Sequence, residues 1–166
     1  TFIGDGRLFL SRPGPAYDLI VLDAYNSTGV PFHLMTREFF DVLRQRLSPD
    51  GVFVGNFLGM LMGRDGQLFW AAYRTIRRQF GQVDVSSPEI KAGHGISLGN
   101  MILYATVSAD PVDSLTLDRN AAELAEKWKL ARIRNYFAAI AHSPEPPPGI
   151  PELTDAYAPV EALQHF

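Results

Sequence analysis

The chain has 166 residues, 46% of them apolar, which suits one domain with a packed core. Its net charge is −3 with no Lys/Arg stripe, which argues against a nucleic-acid partner. It has no cysteine, which excludes disulfides, thiolate metal sites and a Cys nucleophile. No apolar run approaches the ~20 residues of a membrane-spanning helix and no signal peptide is visible, so the expected location is cytoplasmic.

The chain opens Thr1-Phe2-Ile3-Gly4-Asp5-Gly6, without Met and as if inside a fold. It reads as the later part of a longer protein. Thr1 to Ile3 read as the end of a strand and Gly4-Asp5-Gly6 as a turn. After a loop over Ser11 to Ala16, Tyr17 to Asp23 hold four consecutive apolar residues, Leu19 to Leu22. Such a run without alternation predicts a strand buried on both faces, the habit of parallel sheets.

Ala24 to Met35 form a loop. Thr36 is placed as an N-cap, with Glu38 in the first turn. Phe39, Phe40, Leu43 and Leu47 then share one helical face. Ser48 to Gly51 end that helix, and Val52 to Phe57 form the next strand. Gly59 to Gly66 read as a loop. Leu68, Phe69, Ala72, Tyr73, Ile76 and Phe80 mark a second amphipathic helix, closed by Arg77, Arg78 and Gly81 as C′. Val83 to Val85 and Leu98 to Val107 read as two strands. The segment between them carries no helical pattern, so an antiparallel pair is predicted.

Beyond this point the pattern changes. Asp118 is placed as the cap of a helix running to about Ala141, with Leu124, Trp128, Phe137 and Ile140 as apolar positions. Ser143 to Pro151 hold five prolines in nine residues, an extended connector. Leu153 to Leu163 form a closing segment. The predicted fold class is α/β: part of a Rossmann-like doubly wound domain over residues 1–109, with a mostly parallel sheet and an antiparallel edge. Residues 110–166 form the C-terminal helix, the connector and the closing segment, packed on that domain. Trp70 and Trp128 are expected in the core.

In open α/β sheets, ligands bind beyond the carboxyl ends of the strands. Asp5, Asp23 and Asn56 all fall at that edge. Asp23 is the leading candidate, because its backbone is held by a strand while its carboxylate faces the crevice. An Asp after a strand is also an ordinary turn or cap residue. Pattern alone leaves a methyltransferase, a nucleotide-binding domain and half a dehydrogenase open. The four His lack metal-ligand spacing, so no metal is assigned. No Ser-His-Asp arrangement is suggested either. His33 is read as a packing or capping residue, and Asp155 and Tyr157 as anchors of the tail.

Three stretches carry a resemblance. They are Gly4-Asp5-Gly6-Arg7-Leu8-Phe9-Leu10, Tyr17 to Ala24, and Pro31 to Phe40. With the tail Leu153 to Glu161, they resemble the spermidine synthase family of polyamine aminopropyltransferases, in its bacterial spermidine-synthase-like branch. The resemblance covers most of residues 1–107 and the tail. It implies a Rossmann-like methyltransferase fold in polyamine biosynthesis, moving an aminopropyl group from decarboxylated S-adenosylmethionine to an amine. No tightly bound cofactor is implied.

By the same resemblance, Asp5 and Gly6 meet the donor's adenine, and Asp23 holds the attacking amine and accepts its proton. Asn26 and His94 fall where the family shapes its amine pocket, and Tyr25 is a candidate to line it; a surface-loop aromatic and a flexible-loop histidine are the alternative readings of Tyr25 and His94. A carboxylate suits this task, because an ammonium group has no lone pair until it is deprotonated. The sequence departs from the family in two ways. Asn26 stands where polyamine-making members carry a second Asp. The Gly-rich donor loop and the ribose-binding acid lie upstream of Thr1 in the family and are absent. The chain alone is therefore expected to be inactive, with the missing N-terminal part as its partner. A methyltransferase and a non-catalytic association module are the alternatives. Lacking its neighbour, the strand ending at Asp23 is expected to dimerise, to aggregate or to be covered by the C-terminal segment.

Overall fold

A computed structural model describes residues 1–25, 30–60, 66–87, 99–108, 110, 112–130 and 140–157. In chain order the helices are α1 (Gly6–Ser11), α2 (Arg37–Gln45), α3 (Gln67–Arg77) and α4 (Ser114–Trp128). The strands are β1 (Tyr17–Leu22), β2 (Leu47–Gly59), β3 (Gln82–Ser86), β4 (Gly99–Thr106) and β5 (Ile140–Ala141). A 3-10 turn, Phe32–Leu34, precedes α2. Among the described residues no helix is long and apolar enough to cross a membrane.

The strands form one sheet in the order β1-β2-β4-β3-β5. β1 and β2 are parallel, and the other three pairings are antiparallel. The α/β architecture and the antiparallel β3–β4 pair are as read from sequence, but the described sheet is mostly antiparallel and not mostly parallel, because β4 inserts antiparallel between β2 and β3 and β5 adds antiparallel to β3. Along β2 the burial alternates. Phe53, Gly55, Phe57 and Gly59 are buried, while Val52, Val54 and Asn56 are half-exposed. The buried face meets Phe39, Phe40 and Leu43 of α2 and Phe69, Ala72, Tyr73 and Ile76 of α3. Gly59 is required there, since a Cβ would lie 2.5 Å from Phe69 Cβ.

Local chemistry explains where the sequence reading moves. Asp5 is not in a turn after a strand; it caps α1 by accepting the Leu8 N–H at 2.9 Å. Thr1 to Ile3 are not strand. Thr36 caps α2 as expected, accepting from Phe39 N. That helix ends at Gln45, however, and Leu47 opens β2 opposite Tyr17. Arg46 sets this boundary. Its guanidinium donates to the carbonyls of Leu10, Arg12 and Pro15 and lies 5.2 Å from the Tyr17 ring centroid. Ser48 to Gly51 fall where the β1–β2 register shifts, so this turn-like segment sits within the strand. Helix α3 is capped at Arg78, and Gly81 has no left-handed φ, so it is not a C′ glycine.

Helix α4 begins at Asp113, not Asp118. The Asp113 carboxylate accepts Thr116 N–H at 2.7 Å from an extended backbone, which Asp118, within the helix, cannot adopt. The helix stops at Lys129, in the left-handed region with φ 56. Ile140 is in strand β5 rather than helix, and Phe137 lies outside the described residues. Trp70 is buried as expected, but Trp128 is exposed.

The connector is tied down by buried polar groups. Asp84 accepts from Gln82 Nε2 at 2.9 Å and from Ser143 N at 3.1 Å, with His142 Nδ1 at 3.4 Å. The Tyr73 hydroxyl donates to Pro144 O at 2.7 Å, and burial pushes its pKa up to about 12. The buried Leu153 N–H donates to Thr75 Oγ1 at 2.9 Å, and Leu153 O accepts from Arg37 N at 2.8 Å. Thr75→Val orphans that buried N–H, so it is expected to cost about 1–3 kcal/mol. Thr75→Ser keeps the acceptor and is expected to cost less. Urea denaturation of the two variants checks this.

Candidate active site

Strand β1 ends at Leu22, and Asp23 follows it at the rim of the sheet, exposed. Leu22 pairs with Gly55, which brings the next residue of β2, Asn56, to the same rim. Asn56 Nδ2 donates to Asp23 Oδ1 at 3.0 Å. The opposite amide orientation would set two acceptors face to face, so the carboxylate selects this one. The Asn56 Oδ1 atom is buried without a hydrogen-bond partner among the described residues. The Tyr25 hydroxyl donates to the Asn56 backbone carbonyl at 2.9 Å. Partial burial, then the nearby Asp23 charge, raises the Tyr25 pKa and keeps it a neutral donor.

Asp23 heads an open groove of about 610 Å³ along β1, lined by Gly4, Gly6, Phe9 and Leu10 on one side and Leu34, Phe39 and Leu43 on another. Asp5 stands beside Gly6 at the start of α1. Its carboxylate is already engaged, by Leu8 N–H and by His33 Nε2 at 3.1 Å. The Leu8 hydrogen bond, aided by the His33 charge, lowers its pKa. A Cβ on Gly6 would meet nothing within 4 Å, so the groove is open there. Of the other residues singled out, Asn26 and His94 lie outside the described residues. Among the described residues no group of three His, Cys, Asp or Glu is arranged to hold a metal.

A second polar cluster holds the tail: Asp155 anchors it as read from sequence, and Arg7 is the partner that sequence reasoning missed. Arg7 makes a bidentate pair with Asp155, at 2.7 and 2.5 Å, and also donates to His33 O at 3.1 Å. Thr36 Oγ1 donates to Asp155 Oδ1 at 2.7 Å, and Asp155 N–H donates to Glu38 Oε2 at 2.9 Å. Residues 7 and 155 are too far apart in sequence for any local signal, although both lie in segments that carried the family resemblance.

The Arg7 hydrogen bonds hold the Asp155 pKa at about 2, against about 3.9 for a free Asp. The folded value is depressed, so this contribution is present above the unfolded value. It is lost as pH falls through the folded one, between roughly pH 4 and pH 2. Asp155→Asn is expected to reduce stability near neutral pH and to flatten its decline across that window. Urea midpoints at about pH 5 and about pH 2.5 for both proteins test this.

No family model matches the chain. A probable polyamine aminopropyl transferase from Bifidobacterium longum (strain NCC 2705) is 30% identical over 170 residues, covering 96% of this chain and 36% of that protein. The polyamine aminopropyltransferase of Vibrio vulnificus (strain CMCP6) is 28% identical over 166 residues, covering 97% of this chain and 52% of that protein. The chain thus spans 36% and 52% of the length of these two curated relatives, in their C-terminal part. The crystal structure of a probable spermidine synthase from Corynebacterium glutamicum ATCC 13032 shares the fold, with a TM-score of 0.59 at 20% identity, covering 95% of this chain and 54% of that one. Over nearly its whole length, therefore, the chain matches the C-terminal part of the polyamine aminopropyltransferases of the spermidine synthase family.

Proposed function

We propose that this chain carries the amine-activating part of an aminopropyltransferase site, with Asp23 as its proton acceptor. The observation that carries this reading is the Asp23–Asn56 pair at the carboxyl ends of two adjacent parallel strands, at the head of the groove. The names of the relatives supply the reaction class.

In this reading an ammonium group docks on the Asp23 carboxylate and gives up a proton to it. The freed lone pair attacks the methylene carbon bonded to the donor's sulfonium. The C–N bond forms, the C–S bond breaks, and the electron pair goes to sulfur, leaving methylthioadenosine. Asn56 holds the carboxylate in one rotamer, and Tyr25 braces the backbone of Asn56. Asp5 and Gly6 face the donor's adenine. Because the donor carries its own leaving group, most of the rate enhancement comes from alignment. With Asn26 in place of a second carboxylate, the chain offers less to a second ammonium charge, so the preferred acceptor carries a single charged end, held at Asp23. The reaction belongs to the chain once it is completed by a part like the N-terminal part of its relatives; alone it is inactive.

The experiment is calorimetric titration of this chain joined behind the N-terminal part of the Vibrio vulnificus relative. Binding of methylthioadenosine together with a diamine is the expected result. Preference for intact S-adenosylmethionine with no amine binding would point to methyl transfer, and binding of neither would sink the enzymatic reading.

A further inference from the structure

The sheet has two unlike faces. One is sealed by α2 and α3. On the other, the open face, Leu19 and Val21 of β1 stay exposed. Farther from β1, the register sets two cross-strand rows on that face, Val52–Thr106–Gln82 and Val54–Tyr104–Asp84. Val52, Tyr104 and the polar members of these rows line a crevice of about 310 Å³. Leu117 of α4, Val112 before it and Ile140 of β5 complete its lining. The volume is at the low end for a small-molecule site, and the mix of apolar walls with a few polar groups is typical of one.

The polar groups gather along the β3–β4 pair, and their hydrogen bonds can be counted. Gln82 Nε2 donates to Asp84 Oδ2 at 2.9 Å and to Val112 O at 3.1 Å, so both its hydrogens are used. Its Oε1 accepts from Val112 N–H at 2.8 Å. Asp84 is 7% exposed. Its Oδ2 takes the Gln82 bond and faces His142 Nδ1 at 3.4 Å, while Oδ1 takes the Ser143 N–H at 3.1 Å. A carboxylate has about four lone-pair sites, so among the described residues one is left on Oδ1. No Lys or Arg pairs with Asp84 among those residues, and His142 is charged only if protonated. Diagonally across the β3–β4 pair, Thr106 Oγ1 is buried without a hydrogen-bond partner among the described residues. A buried carboxylate without a fixed cation and a buried hydroxyl without a partner, both beside one cavity, mark the place of a missing donor.

We infer that this crevice is a binding site for a small organic monoamine: one ammonium group on an apolar body. The ammonium donates to Asp84 Oδ1 and to Thr106 Oγ1, and the body lies against Val52, Leu117 and Ile140. A neutral ligand would leave the Asp84 charge unmet, an anion would be repelled by it, and a diamine would bury its second charge among apolar groups. The site is separate from Asp23. Val52 lies four residues before Asn56 on β2, about 13 Å along the strand, and the crevice runs from there away from β1, across β4 to β3. It stands whether or not Asp23 catalyses.

The test is titration of this chain with phenethylamine, followed by amide NMR shifts, with phenethyl alcohol as the neutral isostere. Saturable shifts are expected at Val52, Thr106 and Leu117, and the alcohol should bind at least about tenfold more weakly. Thr106→Val removes a hydroxyl that has no partner, so it should keep the melting temperature and weaken amine binding about tenfold. Asp84→Asn should abolish binding. The same shifts should appear in the chain joined behind the N-terminal part of the Vibrio vulnificus relative. Four results would each overturn the inference. One is equal affinity for the alcohol. Another is shifts confined to the surroundings of Asp23, which would make the amine a ligand of that groove alone. The third is a Thr106→Val variant that melts lower, showing the hydroxyl already bonded, or that keeps full amine affinity. The fourth is absence of the crevice shifts in either protein, which in the joined chain would mean that the added part fills the crevice.

Discussion

Asp23→Asn is expected to lower turnover of the completed enzyme by about 10²–10⁴-fold, the usual contribution of a positioned general base. The substitution is well suited to the question because it is nearly isosteric and removes only the charge. Asn56 Nδ2 still has an acceptor to donate to, since the new amide keeps one oxygen. Asp23 is exposed and outside the core, so stability should change little. The loss should therefore appear in kcat, with a smaller change in the affinity for donor. Single-turnover measurement across pH separates the possibilities. If Asp23 takes the proton, the variant should recover activity at high pH, where the amine is already neutral. Near-normal turnover at neutral pH would remove Asp23 from the proton-accepting role and leave the family match without its central residue.

Phe53→Ala is expected to destabilise the isolated chain by about 3–5 kcal/mol, close to the whole stability of a small domain. Phe53 is fully buried in β2, with ring centroids 5.7 Å from Phe40 and 6.2 Å from Phe80. It joins the sheet to α2 and to the end of α3, so no single neighbour can move in to fill the cavity. Val54, the next residue, points to the open face, and its partner in β1 is the exposed Val21. Val54→Ala in the same chain should cost far less. Thermal or urea unfolding of the two variants measures the difference directly. Equal losses would mean that the second face is covered in solution.

The elements that proved legible in sequence are those whose signals are local. Thr36 and the Phe39–Phe40–Leu43 stripe specify α2 within one stretch of chain. The antiparallel β3–β4 pair follows from the absence of a helical pattern between the strands. The elements that were missed depend on partners far along the chain. Helix α1 has six residues, too few to be stable alone. It is held by the Asp5 cap and by Arg7 reaching Asp155, 148 residues away. Asp113 and Asp118 are equivalent as letters, and only the extended backbone at Asp113 makes it the cap. At the candidate site, Asp23 and Asn56 were both placed at the strand ends by pattern. The hydrogen bond joining them follows from the β1–β2 register, which no pattern states.

What the sequence determined by itself is where α2, α3 and the central parts of β1 to β4 lie, that Asp23 follows an apolar strand, and that this strand is built for burial on both sides. Periodicity and capping are properties of neighbouring residues, so they can be read from the chain alone. Only the tertiary structure decided which residues surround Asp23, how Arg7, Thr36 and Asp155 clasp the tail, and which face of the sheet stays open. An apolar run records that a strand is suited to burial on both faces. Whether the covering groups belong to the same chain is a matter of packing, and along β1 of this chain Leu19 and Val21 remain uncovered.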